Sequence, residues 1–362
     1  MEEARVMDFS SAETHLLLNP RLPDADRVAL ESLAAEAPAL RAHIWIATSG
    51  TTGSLRLVAL SKEAILASAA AVNQHLSITS RDSWINVLPP FHVGGLGIYA
   101  RAELTGSRVI PMGWDARQFI RTIAAEHVTL SALVPAQVRD LAVLGEPAPS
   151  SMRAIIVGGG ALAHDLYSRA RALGWPVLPS YGMTEACSQI ATAVGESPEM
   201  KLLPHVRARA DDDKRLAFRA TSLLTGYAFS DADGRTVFAD PKIDGWFVSQ
   251  DLGAVEGDVL RVFGRAGEFV KIGGESVDLA RLDAVLDAVR GDVDAVIVAV
   301  GDERLGHVIH LVTTVVDSAP VVNAFNERVL PFERIRAVRR VDAIPRSPLG
   351  KVLRARIVAE LG

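Results

Sequence analysis

HIWIATSGTTGSLRLVALSKEAILASAAAVNQHLS, residues 43 to 77, sets a β-rich run, a loop of small residues and an apolar helical pattern in succession. Ser61 stands where a helix N-cap belongs, and the alanine-rich stretch after it has its apolar residues at helical spacing. Similar pairs of short β-rich runs and helical patterns continue to about residue 195. Strands are expected at 43–48, 83–88, 107–111, 129–133, 153–157, 176–180 and 189–194, and a further helix in DARQFIRTIAAEH, opened by Asp115. That alternation predicts βαβ units and an α/β fold with a doubly wound, mostly parallel sheet. From about 201 to 263 shorter alternating segments punctuated by Asp233-Gly234, Asp244-Gly245 and Glu256-Gly257 predict a small antiparallel β subdomain. Beyond Gly264-Arg265 a helix, LARLDAVLDAV, strands at 294–300, 307–315 and 335–343 and two more helical stretches predict a small α+β domain. The expected division is therefore 1–264, a hinge at 265–267, and 268–362.

Composition restricts the function classes. With 362 residues, 49% of them hydrophobic, the chain can bury a large core and a smaller one. A formal charge of -5 offers nucleic acid and anionic lipid no general attraction, so any phosphate must meet a local site. The single cysteine, Cys187, cannot form an internal disulfide and reads as a small buried hydrophobe. The N-terminal run has neither a basic segment nor an apolar one, and the apolar runs fall short of the roughly 20 residues of a membrane span. These features favour the cytoplasm, small-molecule partners and no transmembrane segment.

Two loops carry candidate chemistry. In Thr48-Ser49-Gly50-Thr51-Thr52-Gly53 the backbone is free to wrap, with hydroxyls and amides able to face one anion; placed between a strand and a helix, it suits a phosphate. It lacks the Gly-x4-Gly-Lys spacing of nucleoside triphosphatases, and by itself it also reads as a plain turn. Ser180-Tyr181-Gly182-Met183-Thr184-Glu185 follows another short strand, and ligands of open α/β sheets gather at such strand ends. Tyr181 suits stacking on a base, Thr184 a phosphate contact, and Glu185 oxygen coordination of Mg2+. The mundane alternatives are a core-edge tyrosine, a helix N-cap and a carboxylate at a first helical turn.

With these two motifs in this order, the chain resembles the acyl-adenylate-forming superfamily of acyl-CoA ligases, carrier-protein adenylation domains and luciferases. Asp244-Gly-Trp-Phe-Val-Ser-Gln-Asp251 resembles the family segment whose Asp holds the ribose, and Gly264-Arg265 the one whose Arg supports it. Pro345-Arg-Ser-Pro-Leu-Gly-Lys351 resembles the motif whose Lys contacts the α-phosphate and the substrate carboxylate, which makes Lys351 the expected catalytic cation. His92, in Leu88-Pro-Pro-Phe-His92-Val-Gly94-Gly95, is similar to the family's acyl-pocket histidine, although an isolated His is more often structural. The resemblance further implies that Gly273-Gly274 line the pantetheine tunnel after the C-terminal domain has rotated; without it they read as a β-turn. Ser180 to Thr192 and Gly158-Gly159-Gly160 are most similar to o-succinylbenzoate-CoA ligases of menaquinone biosynthesis, with His92, Gly94, Gly95, Ser188 and Gln189 as the expected acyl-pocket wall.

ATP, Mg2+ and coenzyme A are the cofactors and co-substrates this implies. Another acyl-CoA ligase, a carrier-loading enzyme and a non-catalytic acyl-nucleotide-binding protein are the competing readings. Three departures from the family pattern stand out: Leu55-Arg56-Leu57 replaces Pro-Lys-Gly, Gly267 replaces a charged hinge residue, and only 47 residues precede the phosphate loop. The short start suggests an uncovered sheet edge, for which dimerisation is one candidate.

Overall fold

Every residue of Leu130–Leu133 and of Ala154–Val157 is buried, so these short strands need covering layers on both faces. The computed structural model describes residues 7–49, 55–265, 269–272, 275–302, 304–347 and 352–361. Its largest sheet has eleven strands, of which Arg108–Pro111, Ser83–Asn86, Leu130–Leu133, Ala154–Val157 and Val177–Met183 run parallel in that spatial order. Successive side chains of these strands enter opposite cores. Trp84, Leu130, Ala154 and Ile156 face one cluster, packed with the helices Lys62–His75 and Val93–Thr105. Ile85, Leu133, Ile155 and Val157 face the other, covered by Ala116–Glu126, Pro135–Leu144 and His164–Ala172. The expected caps hold: Ser61 accepts from the amide of Ala64 at 3.0 Å, and Asp115 from that of Gln118 at 2.7 Å.

The antiparallel strands expected for 201–263 are present and are shared between two sheets. Met200–Leu202, Val206–Ala210, Arg215–Ala220, Phe247–Glu256 and Val259–Arg265 extend the large sheet beyond Ser188–Ala193. Gly226–Ser230 and Thr236–Ala239 belong instead to a five-stranded sheet with His15–Leu17, His43–Ser49 and Leu55–Ser61. The three expected glycine turns all have positive φ, 77° at Gly234 and Gly245 and 62° at Gly257.

Two expectations are corrected. His43–Ser49 pairs antiparallel with Leu55–Ser61, from His43 opposite Ser61 to Ser49 opposite Leu55, so the expected phosphate loop is followed by a strand before the helix begins. The physical reason lies in the second strand: Leu57 and Ala59 enter one core while Val58 and Leu60 enter another, and a strand buried on both faces shows no alternation. The edge next to His43–Ser49 is also covered from within the chain. His15–Leu17 pairs with His43–Ser49, and Asp24–Glu36 buries Leu30 and Leu33 against Trp45 and Leu57. The buried ammonium of Lys62 ties this N-terminal segment down by donating to the carbonyl oxygens of Asp8 and Ser11 at 2.7 and 3.1 Å.

Beyond residue 268 a third sheet joins Glu275–Asp278, Phe269–Ile272, Gly306–Thr313 and Ala295–Asp302, with Ile335–Arg340 parallel to Gly306–Thr313. Leu279–Arg290 opens on Asp278, whose side chain accepts from the amides of Ala280 and Arg281. Among the described residues, no hydrophobic cluster mixes residues before 265 with residues after 269.

Candidate active site

The parallel strands end together at a cavity of about 850 Å³ that includes its open mouth. Its wall contains His92, Gly94, Gly95, Gly158, Gly159, Ser180, Gly182, Thr184, Ser188 and Gln189, which unites the expected acyl-pocket residues with the strand-end loops. Gly160 is exposed and lies outside that wall. Two glycines are sterically required. A Cβ on Gly95 would lie 2.3 Å from the carbonyl oxygen of Pro89, and one on Gly182 would lie 1.7 Å from that of Ser188. Gly182 thus lets the Ser188 backbone close against the strand, at a register shift between Tyr181 and Gly182.

His92 precedes the first turn of Val93–Thr105, and among the described residues its buried Nε2 has no partner. Burial lowers its pKa, which keeps the imidazole neutral at neutral pH and open to a hydrogen bond from either side. Thr184 opens a short 3-10 turn and makes no side-chain cap there, so the capping alternative is not realised.

Glu185 is anchored through one oxygen. Its Oε1 accepts from Arg56 Nη2 at 3.1 Å and from the Tyr227 hydroxyl at 2.8 Å. The Arg56 guanidinium lies 4.2 Å from the centre of the Tyr227 ring, and its Nε donates to Thr48 Oγ1 at 3.3 Å. Sequence reasoning kept Arg56 as a cation but did not find Tyr227. Among the described residues no group of three or more His, Cys, Asp or Glu could enclose a metal. The second oxygen of Glu185 therefore fits the usual mode of Mg2+, which takes one or two carboxylates and fills its shell with phosphates and water.

The expected ribose residues meet. Asp251 and Arg265 are cross-strand partners; Arg265 Nε donates to Asp251 Oδ1 at 2.9 Å, and the Tyr181 hydroxyl donates to Oδ2 at 2.6 Å. Tyr181, expected to stack on a base, is also oriented by this bond, and its ring centre lies 5.8 Å from that of Phe218. Burial and the Asp251 charge push its hydroxyl pKa up, so it stays a donor. Cys187 is buried, its thiol raised by desolvation, in keeping with an inert packing role. Gly50, Thr51, Thr52, Gly53, Gly267, Gly273, Gly274 and Lys351 lie outside the described residues.

Sequence reasoning missed Arg101. It is 2% exposed, lines the cavity, and donates through Nη2 to Gln189 Oε1 at 2.6 Å. Among the described residues its Nε and Nη1 are buried without a partner, and its guanidinium carbon is 5.5 Å from the Trp84 ring centre. Burial pushes its pKa down to about 9, still cationic at neutral pH. A lone charged residue in the otherwise uncharged VGGLGIYARA was the available signal. Gln189, expected in the acyl-pocket wall, lines the cavity with both ends of its amide engaged: its carbonyl accepts from Arg101, and its Nε2 donates to Thr192 Oγ1 at 2.6 Å.

Comparison with known proteins bears on the family and the fold. A model of the family described as AMP-binding enzyme matches residues 7–216. The 2-succinylbenzoate--CoA ligase of Bacillus licheniformis is 28% identical over 330 residues, which cover 86% of this chain and 68% of that protein. A probable 2-succinylbenzoate--CoA ligase of Mycobacterium tuberculosis is 31% identical, over 86% of this chain and 83% of its own length. Among solved structures, the o-succinylbenzoate CoA synthetase of Bacillus subtilis with its acyl-adenylate intermediate matches at a TM-score of 0.77. It is 25% identical, and the match covers 87% of this chain and 68% of that one. The same enzyme with ATP and magnesium ion gives 0.76 at 26% identity, over 86% and 69%.

Proposed function

The chain belongs to the AMP-binding enzyme family, and from that premise we propose that it activates o-succinylbenzoate as an acyl-adenylate and transfers the acyl group to coenzyme A. The observation that carries the substrate assignment is Arg101. A buried cation with no carboxylate partner and two idle donors is costly in a pocket for a monoacid, whereas an acid with a second carboxylate neutralises it.

In the proposed first step the succinyl carboxylate attacks the α-phosphate of ATP, forming an acyl–phosphate bond while pyrophosphate leaves. Negative charge gathers on phosphoryl oxygens, so preorganised donors and cations aimed there lower the barrier. Arg56 joins Thr48 to Glu185, and the 48–53 loop and Lys351 are assigned to the phosphates and the carboxylate. Mg2+ held at Glu185 supplies further neutralisation of the phosphates. Asp251 and Arg265 are assigned to the ribose, with Tyr181 fixing the carboxylate that receives it. In the second step the CoA thiol attacks the acyl carbonyl and AMP departs.

His92 and Ser188 border the reacting end of the pocket, and Gly273-Gly274 are assigned to the thiol's tunnel. The division at 265–267 belongs to the same proposal and is supported by the separate sheet and cores beyond it. So does a cytoplasmic location. The test compares kcat/KM for o-succinylbenzoate, benzoate, 4-coumarate and octanoate in ATP–pyrophosphate exchange and AMP release. A clear preference for o-succinylbenzoate is expected; preference for a monoacid removes this substrate, and no exchange with any acid removes the enzymatic reading.

A further inference from the structure

We propose that Gln189 is the positioning residue for dicarboxylate selectivity, holding Arg101 in place with a neutral acceptor so that the full positive charge remains for the substrate. This rests on the reading of Arg101 given above. Gln189 is 4% exposed and both ends of its amide are committed, to Arg101 Nη2 and to Thr192 Oγ1, each at 2.6 Å. The guanidinium fixes which way the amide points. Arg101 has donors only, so the Gln189 carbonyl faces it and Nε2 is left to donate to Thr192 Oγ1. The Thr192 hydroxyl, 3.0 Å from Ser180 Oγ, continues the chain of uncharged groups.

Every member of this relay is uncharged, and Thr192 is fully buried. A glutamate at the same place would reach the same guanidinium with a charge of its own and satisfy it. Gly97 completes the arrangement, since a Cβ there would lie 3.1 Å from Arg101 Nη2 and press on the fork. Selectivity therefore depends on the neutrality of the acceptor as much as on the presence of the cation.

The experiment uses two substrates: o-succinylbenzoate, and its analogue in which the ring carboxylate is a carboxamide while the succinyl acid is intact. For the intact chain the diacid is expected to be favoured in kcat/KM by roughly a hundredfold. Gln189→Glu is expected to reduce that ratio by at least about tenfold, chiefly through KM of the diacid, because the cation is already paired. Thr192→Val, which cuts the relay one link further away and keeps the volume, is expected to lower the ratio a few-fold, roughly a third of an order of magnitude to one order. The proposal is overturned if Gln189→Glu keeps the original ratio, or if it and Thr192→Val depress both substrates equally. A failure of the underlying substrate reading is separate and visible earlier, as an unmodified protein that does not discriminate the two compounds.

Discussion

Arg101 illustrates how a single side chain can be poor for stability and useful for function. Its guanidinium is buried with one hydrogen bond to a neutral amide, so the folded protein bears a desolvation cost that no counter-ion offsets. Arg101→Met keeps much of the volume and removes the charge. The thermal midpoint is expected to stay level or rise, while kcat/KM for o-succinylbenzoate falls by about two to three orders of magnitude. Calorimetry beside the AMP-release assay checks both, and a large drop in midpoint with unchanged kinetics refutes the assignment. Opposed changes are what separate a binding cation from a packing residue. The same scale shows what the sequence could disclose of the site. Asp251, Arg265, Tyr181 and Glu185 sit in recognisable motifs, and the structure brings the first three into one cluster. Arg101 and Tyr227 sit in no motif, and their roles arise from what lies opposite them.

Elements meet their neighbours through a few polar clamps, and one of them lies at the strand ends away from the cavity. Arg153, just before the strand Ala154–Val157, donates to both oxygens of Asp82 at 2.7 and 2.9 Å and to the carbonyl of Leu76 at 2.9 Å. Thr129 donates to the same carboxylate at 2.9 Å, so one acid ties the helix end at 76, the strand from 83 and the two strands beside it. Burial alone would raise the pKa of Asp82, but the bonds from Arg153, the Thr79 amide and Thr129 outweigh it and leave it below the ordinary 3.8. A carboxyl depressed in the folded state contributes fully above its unfolded pKa and loses that contribution as pH falls through the folded one. Asp82→Asn is therefore expected to cost about 1–3 kcal/mol at pH 7 and to flatten the acid limb of the stability profile below about pH 4. Denaturant melts at pH 7, 5 and 3.5 check it; an equal loss at all three pH values contradicts the linkage. At this scale the helices with side-chain caps, at Ser61 and Asp115, were legible in the sequence. Leu55–Ser61 was not, because a strand covered on both sides carries no period-2 signal, and Val93–Thr105 was hidden by the glycines of its first turn.

For the whole molecule, the strand His15–Leu17 and the helix Asp24–Glu36 close the sheet edge beside the strand His43–Ser49. Lys62 is the tie: its ammonium is buried and accepted by Asp8, Ser11 and the Ser11 hydroxyl, while Phe9 enters the main core. Lys62→Ala is expected to cost about 2–4 kcal/mol and to promote association through the uncovered edge, which denaturant melts and sedimentation velocity would register. A monomer of unchanged stability would show that the N-terminal segment is held by other contacts. The proposed rotation of residues 268–362 makes a second prediction at this scale. Lys351→Ala is expected to lower acyl-AMP formation by roughly two orders of magnitude or more and to spare thioester formation from synthetic acyl-AMP. Equal loss of both half-reactions, followed by rapid quench, rules out alternation. The α/β class and the family were determined by the sequence itself, because each depends on residues near one another along the chain: a periodic run, a glycine turn, a short signature. Only the tertiary structure decided that the strand after the phosphate loop pairs with Gly226–Ser230, and that Arg101 meets Gln189 and no carboxylate. Sheet membership and charge compensation depend on distances in space between residues far apart in sequence, and local patterning carries no record of those distances.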